Sequence, residues 1–354
     1  MNSPLLTIIS CLAIITVIVV SHEFGHFIIA KINGIRVSEF TIGVGPAIFR
    51  KKGKVTDFVI RILPFGGACI FAGLDGEPVE DSDGFGKGFR DAPVWSRIAT
   101  VLAGPFFNIL LALLLAAPLV WTYGADEPVI AAITEGLPAE AAGMQAGDEI
   151  LKVDGHRVHL WREIMIRSMM NEGQDVEIVY RHDGQTYTVT ITPAWSEADG
   201  RYFIGFAGGS YDIDCRNLKL IPYSWFEVRY WLDATIQGLK YMVNGHMSLD
   251  NLAGPVGVAN VVDDTIEETV QYGWFTVFMN MLNLAVLLSV NLGIMNLLPV
   301  PALDGGKMLF LIYEVVSGKK LPPEKEGLIN MIGIVLLVIL MVVVLFNDVS
   351  RFFR

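Results

Sequence analysis

Cysteine is scarce in this chain: three in 354 residues, Cys11, Cys69 and Cys215, far apart in sequence. No C-x-x-C pair occurs, so neither a disulfide framework nor a cysteine-ligated zinc site is indicated, and each cysteine reads as a small apolar residue or a free thiol. Charge is scarce too. Asp, Glu, Lys and Arg make up 18% of residues, and 26 Lys and Arg face 37 Asp and Glu, a net charge of −11. No basic stripe is present, which argues against nucleic acid as a partner. The N-terminus lacks the basic region of a signal peptide, and no small-residue cleavage site follows its apolar run, so it reads as a retained span.

Apolar residues are abundant. They make up 53% of the chain, and the mean hydropathy is +0.49, which points to a multi-span membrane protein. Four stretches are long enough to cross a bilayer: about 5–32, 98–123, 274–298 and 328–346. Residues 31–97 carry ten Lys/Arg against eight Asp/Glu, including Arg50, Lys51, Lys52 and Lys54, while residues 124–273 carry ten against twenty-three. The positive-inside rule then places 31–97 in the cytoplasm and the acidic segment outside, with both termini outside.

Directly after the first apolar run stands His22-Glu23-Phe24-Gly25-His26, the pattern H-E-x-x-H. On a helix, positions 22 and 26 share one face, so two imidazoles can grip one metal ion and Glu23 can act as general base toward a water the metal activates. Two histidines and a glutamate in a membrane helix cost several kcal/mol unless paired or bound, which makes such residues functional by default. A catalytic zinc site needs a third protein ligand. His156, His159, His182 and His246 fall on the opposite side of the membrane. Asp304, in Asn296-Leu297-Leu298-Pro299-Val300-Pro301-Ala302-Leu303-Asp304-Gly305-Gly306, follows the third span at the depth of the histidines and is the natural candidate.

The 31–97 loop carries strand patterns at 37–42 and 57–62 punctuated by glycines. It reads either as a hairpin dipping into the bilayer or as a small cytoplasmic sheet. Residues 136–155, from Gly136-Leu137-Pro138 to Gly147-Asp148-Glu149-Ile150 and Asp154-Gly155, resemble a PDZ domain, with a second helix at 161–170 and strands at 176–180 and 186–192 joined by the Asp183-Gly184 turn. Residues 222–244 read as an amphipathic helix rich in aromatics, lying on the membrane or packed on the PDZ.

H-E-F-G-H in the first span, N-x-x-P-x-P-x-L-D-G-G in the third and a PDZ between spans two and three resemble the site-2 protease family of intramembrane zinc metalloproteases, in its bacterial RseP-type branch. Gly43-Val44-Gly45-Pro46, Pro64-Phe65-Gly66-Gly67, the stretch Ala103 to Asn108 and the stretch Leu252 to Gly257 match as well. The resemblance implies Zn2+ held by His22, His26 and Asp304, with Glu23 catalytic. It implies substrate contacts at Asn291, Asn296, Gly43, Gly45, Pro299 and Pro301, and a membrane-reentrant β element that pairs with an unwound substrate. The implied substrates are single-span membrane proteins, such as trimmed anti-sigma factors or remnant signal peptides, met in contact with membrane lipid; the PDZ would filter by size or read a peptide C-terminus. The single PDZ departs from relatives that carry two in tandem.

The expected fold is a mainly α-helical multi-pass membrane protein with four transmembrane helices, a membrane-associated β-hairpin or sheet, and one extracytoplasmic α/β PDZ domain. The expected segments are 1–32, 33–97, 98–123, 124–196 for the PDZ, 197–273, 274–306, 307–327 and 328–354. The expected location is a bacterial cytoplasmic membrane, with the PDZ periplasmic and the active site toward the cytoplasm. The competing reading is a membrane-anchored PDZ scaffold with a vestigial metal site, for which Glu23 would have no use.

Overall fold

The computed structural model describes residues 4–74, 86–169, 173–197, 201–210, 213–245 and 254–351. Parts of three expected features lie outside them: residues 75–85 of the first loop, Met170 of the second PDZ helix, and Leu252-Ala253. Among the described residues four helices are long and apolar enough to cross a membrane: α1 (Pro4–Ile32), α2 (Val94–Tyr123), α7 (Trp274–Asn296) and α9 (Pro323–Arg351). At 1.5 Å per residue each exceeds the roughly 30 Å of a bilayer's hydrocarbon core. Apolar side chains on α9, from Leu328 to Phe346, stand exposed on nearly every turn, which water disfavours and lipid does not. The chain divides into two compact units, Met1–Ala112 with Ser248–Arg354, and Leu113–Met247.

In the first unit α1 and α2 approach closely because small residues face each other, the usual device where lipid supplies no hydrophobic drive. A Cβ on Gly25 would lie 2.5 Å from the Ala103 carbonyl oxygen and 2.9 Å from the Phe107 Cβ. Between the two helices run β1 (Val37–Lys51) and β2 (Asp57–Phe71), each of 15 residues. They do more than form a simple hairpin. Glu39, Phe40, Thr41 and Ile42 each have two partners, one within 57–60 and one within 67–70, while 44–51 pairs with 58–63. Both strands bend at glycines in the left-handed region, Gly43 (φ 88°), Gly45 (φ 95°) and Gly66 (φ 87°), so two strands make a sheet of four segments with 67–71 at one edge. At Gly43 the bend brings the Leu63 carbonyl to 2.5 Å from where a Cβ would stand, a place only glycine fits.

Two helices of this unit were not legible as such. One is α6 (Pro255–Val270), whose Val262 and Ile266 pack on Val277 and Leu284 of α7 and on Leu6, Cys11 and Ile14 of α1. Its N-terminus is closed by the buried carboxylate of Asp348 on α9, which accepts from the Gly254 and Gly257 N–H groups at 3.1 and 3.0 Å, a favourable place for negative charge. The other is α8 (Asp304–Ser317), where a loop was expected from 307. Gly305 and Gly306 sit in its first turn, where the carbonyls of Leu298 and Val300 occupy the space a Cβ would need. The preceding turn puts Ala302 at φ 76° and rests on α9, where Asn330 Oδ1 accepts from the Ala302 N–H at 3.3 Å.

The second unit holds β3 (Ile130–Ile133), α3 (Pro138–Ala141), β4 (Glu149–Val153), β5 (His156–Arg157), α4 (Trp161–Met169), β6 (Val176–His182), β7 (Gln185–Ile191), β8 (Ala194–Ser196), β9 (Arg201–Phe203), β10 (Phe206–Gly208) and α5 (Leu220–Val243). A four-stranded sheet has the order β5-β4-β6-β7, and β3 pairs with β10, β8 with β9. Alternation sorts β6: Val176, Ile178 and Tyr180 enter a core with Ile130, Ile150 and Ile164, while Glu177 and Arg181 face out. Asp183 and Gly184 both have positive φ, 46° and 78°, as a tight two-residue hairpin turn needs. Helix α5 packs within this unit. Tyr223, Phe226 and Tyr230 lie against Leu160 and Cys215, Phe226 stacks on His159 at 3.9 Å, and Arg162 joins Asp126 to Glu227 at 3.0 and 2.5 Å.

Candidate metal centre

About five turns of apolar helix bring α1 to His22, which by helical rise stands roughly 27 Å along from Pro4, near the far side of a bilayer core. His22 and His26, four residues apart, turn to the same side, with ring centroids 4.7 Å apart and ring planes nearly perpendicular. Asp304 meets them from the first residue of α8. The three tips form a triangle with equal sides: His22 Nε2 to Asp304 Oδ2, His26 Nε2 to Asp304 Oδ2, and His22 Nε2 to His26 Nε2 are each 3.1 Å. All three residues are buried. Among the described residues this is the one cluster of three His, Cys, Asp or Glu side chains with metal-ligating geometry.

The donor set fits zinc. Tetrahedral ligands at about 2.0–2.1 Å from a metal lie about 3.3 Å from one another, close to the observed sides. Asp304 Oδ2 is buried and has no partner in hydrogen-bond geometry although two nitrogens stand 3.1 Å away. The lone pairs converge on a common point rather than on each other, which is what one cation would satisfy.

Helix α2 contributes no metal ligand yet holds both histidines. The Thr100 carbonyl accepts from His26 Nδ1 at 2.8 Å, which leaves Nε2 of that ring as the free donor pair. Asn108, fully buried, lies 3.3 Å from His22 Nδ1 through its amide nitrogen. Gly104 lies flat behind both rings. A Cβ there would come within 2.6 Å of His26 Cε1 and 2.7 Å of His22 Cε1. The stretch Ala103 to Asn108 stood out in the sequence only as a matching motif, with no role attached to Gly104, Asn108 or the Thr100 carbonyl.

A cavity of about 330 Å3 opens onto the triad. Glu23, on the next position of α1, lines it beside the histidines, as do Asn296 at the end of α7, Lys307 on the first turn of α8, and the edge segment Gly66, Gly67, Ala68 and Cys69 of β2. Gly67 packs against Glu23 itself: a Cβ there would lie 3.1 Å from Glu23 Cγ. Sequence reasoning attached no part in the site to Lys307 or Cys69, and Gly67 stood there only within the matching stretch Pro64 to Gly67. Of the expected substrate contacts, Asn296 reaches the cavity, whereas Asn291, Pro299, Pro301, Gly43 and Gly45 do not line it. Gly43 and Gly45 instead make the bends of β1, and Pro301 rests against Gly333 of α9. His156 is exposed, and His159 and His182 belong to the second unit; His246 lies outside the described residues.

Two histidines of α1 and an aspartate of α8, with a glutamate beside them and a strand edge across the cavity, form a candidate catalytic metal centre in a membrane-embedded chain. A family model described as Peptidase family M50 matches residues 10–340, and the chain belongs to that family. The zinc metalloprotease RasP of Geobacillus kaustophilus is 30% identical with all of both chains covered. The zinc metalloprotease RasP of Bacillus licheniformis is 30% identical over 98% of this chain and 99% of that one. The regulator of sigma-W protease RasP of Bacillus subtilis is 28% identical, again over 98% and 99%. The alignment with the Geobacillus protein runs over 429 positions and this chain has 354 residues, so at least 75 positions (429 less 354) have no counterpart here. Among solved structures, the PDZ domain of an SdrC-like protein from Listeria monocytogenes is 23% identical over 24% of this chain and 88% of that chain, with a TM-score of 0.21, too slight a likeness to bear on the fold. The chain is a zinc metalloprotease acting within the membrane, and Zn2+ is its metal.

Proposed function

We propose that this chain cleaves single-span membrane proteins within their membrane segment, using His22, His26 and Asp304 as zinc ligands and Glu23 as the proton-transferring base. The observation that carries the reading is the placement of Glu23 in one cavity with the three-ligand triangle and the β2 edge. Zinc held there supplies Lewis acidity, polarising the scissile carbonyl and acidifying water. Glu23 accepts the proton of the attacking water and returns it to the leaving amine.

A substrate helix hides its carbonyls in its own hydrogen bonds, so a cleavable segment must unwind, and each freed backbone group in an apolar setting costs several kcal/mol. The edge segment 66–69 offers unpaired strand backbone at the metal site, and adding the substrate as a further strand satisfies those groups. Asn296 is positioned to bind the substrate backbone from the opposite wall.

The loop charges support a zinc site near the cytoplasmic face of a bacterial cytoplasmic membrane, with the 124–196 region, read as one PDZ domain, outside it. Its role there is to exclude substrates with bulky external domains or to receive a peptide C-terminus. Anti-sigma factors trimmed outside the membrane and remnant signal peptides are the substrate classes this reading favours; the sigma-W regulator named in Bacillus subtilis is in keeping with it. The scaffold alternative has no use for a glutamate in the metal cavity.

The test is cleavage of a reconstituted single-span substrate by the wild type, by Glu23→Gln, and after chelation. The variant should keep its zinc and lose at least about 100-fold in rate, and chelation should stop cleavage until zinc returns. Cleavage by Glu23→Gln at the wild-type rate would refute the assignment of the base.

A further inference from the structure

We propose that Asn108 is the positioning residue of the metal centre: its side-chain amide oxygen accepts the Nδ1 proton of His22, and so selects the ring form that can ligate. This rests on the zinc-site assignment above.

The amide nitrogen of Asn108 lies 3.3 Å from His22 Nδ1, while its amide oxygen is buried without a hydrogen-bond partner. A ligating Nε2 has no proton, so the neutral ring carries it on Nδ1, where an amide oxygen can accept it and an NH2 group would face a donor with a donor.

A half-turn about the Asn108 Cβ–Cγ bond exchanges nitrogen and oxygen. The buried oxygen, which otherwise has no partner, then accepts the His22 proton.

The backbone is in fact pinned. Ser289 on α7 donates to the Asn108 carbonyl at 2.8 Å, and Gly293 one turn on leaves 3.5 Å between the Asn108 Cβ and the place its own Cβ would take. The other histidine has a fixed acceptor: the Thr100 carbonyl can only accept, and so holds the Nδ1 proton of His26. Asn108 does the same for His22.

The experiment measures zinc affinity of the full-length detergent-purified chain by competition with a chromophoric chelator, alongside thermal unfolding of the zinc-free form. Asn108→Leu keeps the volume and removes the acceptor; zinc should bind roughly 10- to 100-fold more weakly. Asn108→Asp keeps an acceptor at the same reach and should stay within about threefold of wild type or bind more tightly. A packing role alone would weaken both alike. Wild-type affinity in Asn108→Leu, or equal losses in both variants, overturns the proposal. If either variant does not fold, Asn108→Ser and Asn108→Ala, which differ by one hydroxyl, give the same decision: the serine variant should hold zinc more tightly, and equal affinities overturn the proposal. Loss of cleavage with zinc affinity unchanged throughout would count against this proposal and leave the protease assignment standing.

Discussion

Gly104→Ala adds one methyl group at the back of the metal site, and its consequence can be worked from distances. The new carbon would stand 2.6 Å from His26 Cε1 and 2.7 Å from His22 Cε1, whereas carbon atoms rest at about 3.5–4.0 Å. Each ring must therefore retreat by about 1 Å, several times the roughly 0.2 Å latitude of a metal–ligand distance. Separating the helices instead would open the close packing of Gly25 on the Ala103 carbonyl. Overpacking of this kind costs about 1–3 kcal/mol. If that falls on the metal-bound state, zinc affinity drops roughly 5- to 150-fold at 1.4 kcal/mol per factor of ten. The assay is chelator competition on purified protein, with cleavage measured at saturating zinc. Gly327→Ala on α9 is the control, since nothing lies within 4 Å of its added carbon; it should leave zinc affinity and cleavage unchanged. Zinc affinity and cleavage in Gly104→Ala equal to the control would refute the claim that α2 sets the position of the histidines.

Cys69 lines the metal cavity while Cys11 and Cys215 do not. A single cysteine placed near the scissile bond of a substrate should form a disulfide with the Glu23→Gln protein under mild oxidation, and Cys69→Ala should abolish the adduct; a product that survives in Cys69→Ala puts the substrate elsewhere. In the second unit two histidines give opposite pH responses. The hydrogen bond to Asp148 raises the His182 pKa, so its contribution is full below the ordinary value near 6.5 and fades as pH rises through the higher folded value. Burial, then Arg229 and Arg157, bring His159 down to about 4, so the fold loses stability as pH falls from about 6.5 toward 4, where the unfolded chain binds the extra proton. Thermal unfolding of full-length protein between pH 4.5 and 8.5 should show His159→Gln flattening the acid limb and His182→Gln the alkaline one, and unchanged limbs would contradict these assignments. Asp348→Asn removes the charge that closes α6 at Gly254 and Gly257; a loss of about 1 kcal/mol in unfolding free energy is expected, and no change would show that the helix end is held by other contacts.

The legible part of the site was local in sequence or fixed by depth. His22, Glu23 and His26 could be read because helical spacing alone decides that positions four apart share a face. Asp304 could be read because span counting brings it to the same depth. The turn at Asp183-Gly184 declared itself through residues that tolerate positive φ. The double pairing of 39–42 was not legible, since alternation shows that a strand exists but says nothing of how many partners it has. The same limit hid α8: Gly305-Gly306 looks like a break in the chain, and only the nearness of the Leu298 and Val300 carbonyls explains glycine inside a helix. For α5, aromatic residues pointed first to a membrane surface, with packing on the PDZ as the alternative; the ion pairs through Arg162 and the stacking of His159 on Phe226 show that it packs within the unit.

Helix α2 shows why the residues around a metal site are the hardest to see beforehand. It contains no metal ligand, and its sequence between Ala103 and Asn108 is apolar apart from one amide. Yet Thr100, Gly104 and Asn108, spaced by four, place a carbonyl, a bare backbone surface and an amide along one stripe facing α1. The histidines stand four apart on α1, so the two stripes meet in register where the helices cross, the Thr100 carbonyl at His26 and the Asn108 amide at His22, with Gly104 between them. A polar group in that apolar setting is costly unless satisfied. The ring nitrogens turned away from the metal therefore need these partners as firmly as the ligating nitrogens need the ion. The zinc-binding pattern written on α1 is thus only half a site, and a substitution on α2 that leaves H-E-x-x-H intact can cost as much as one within it.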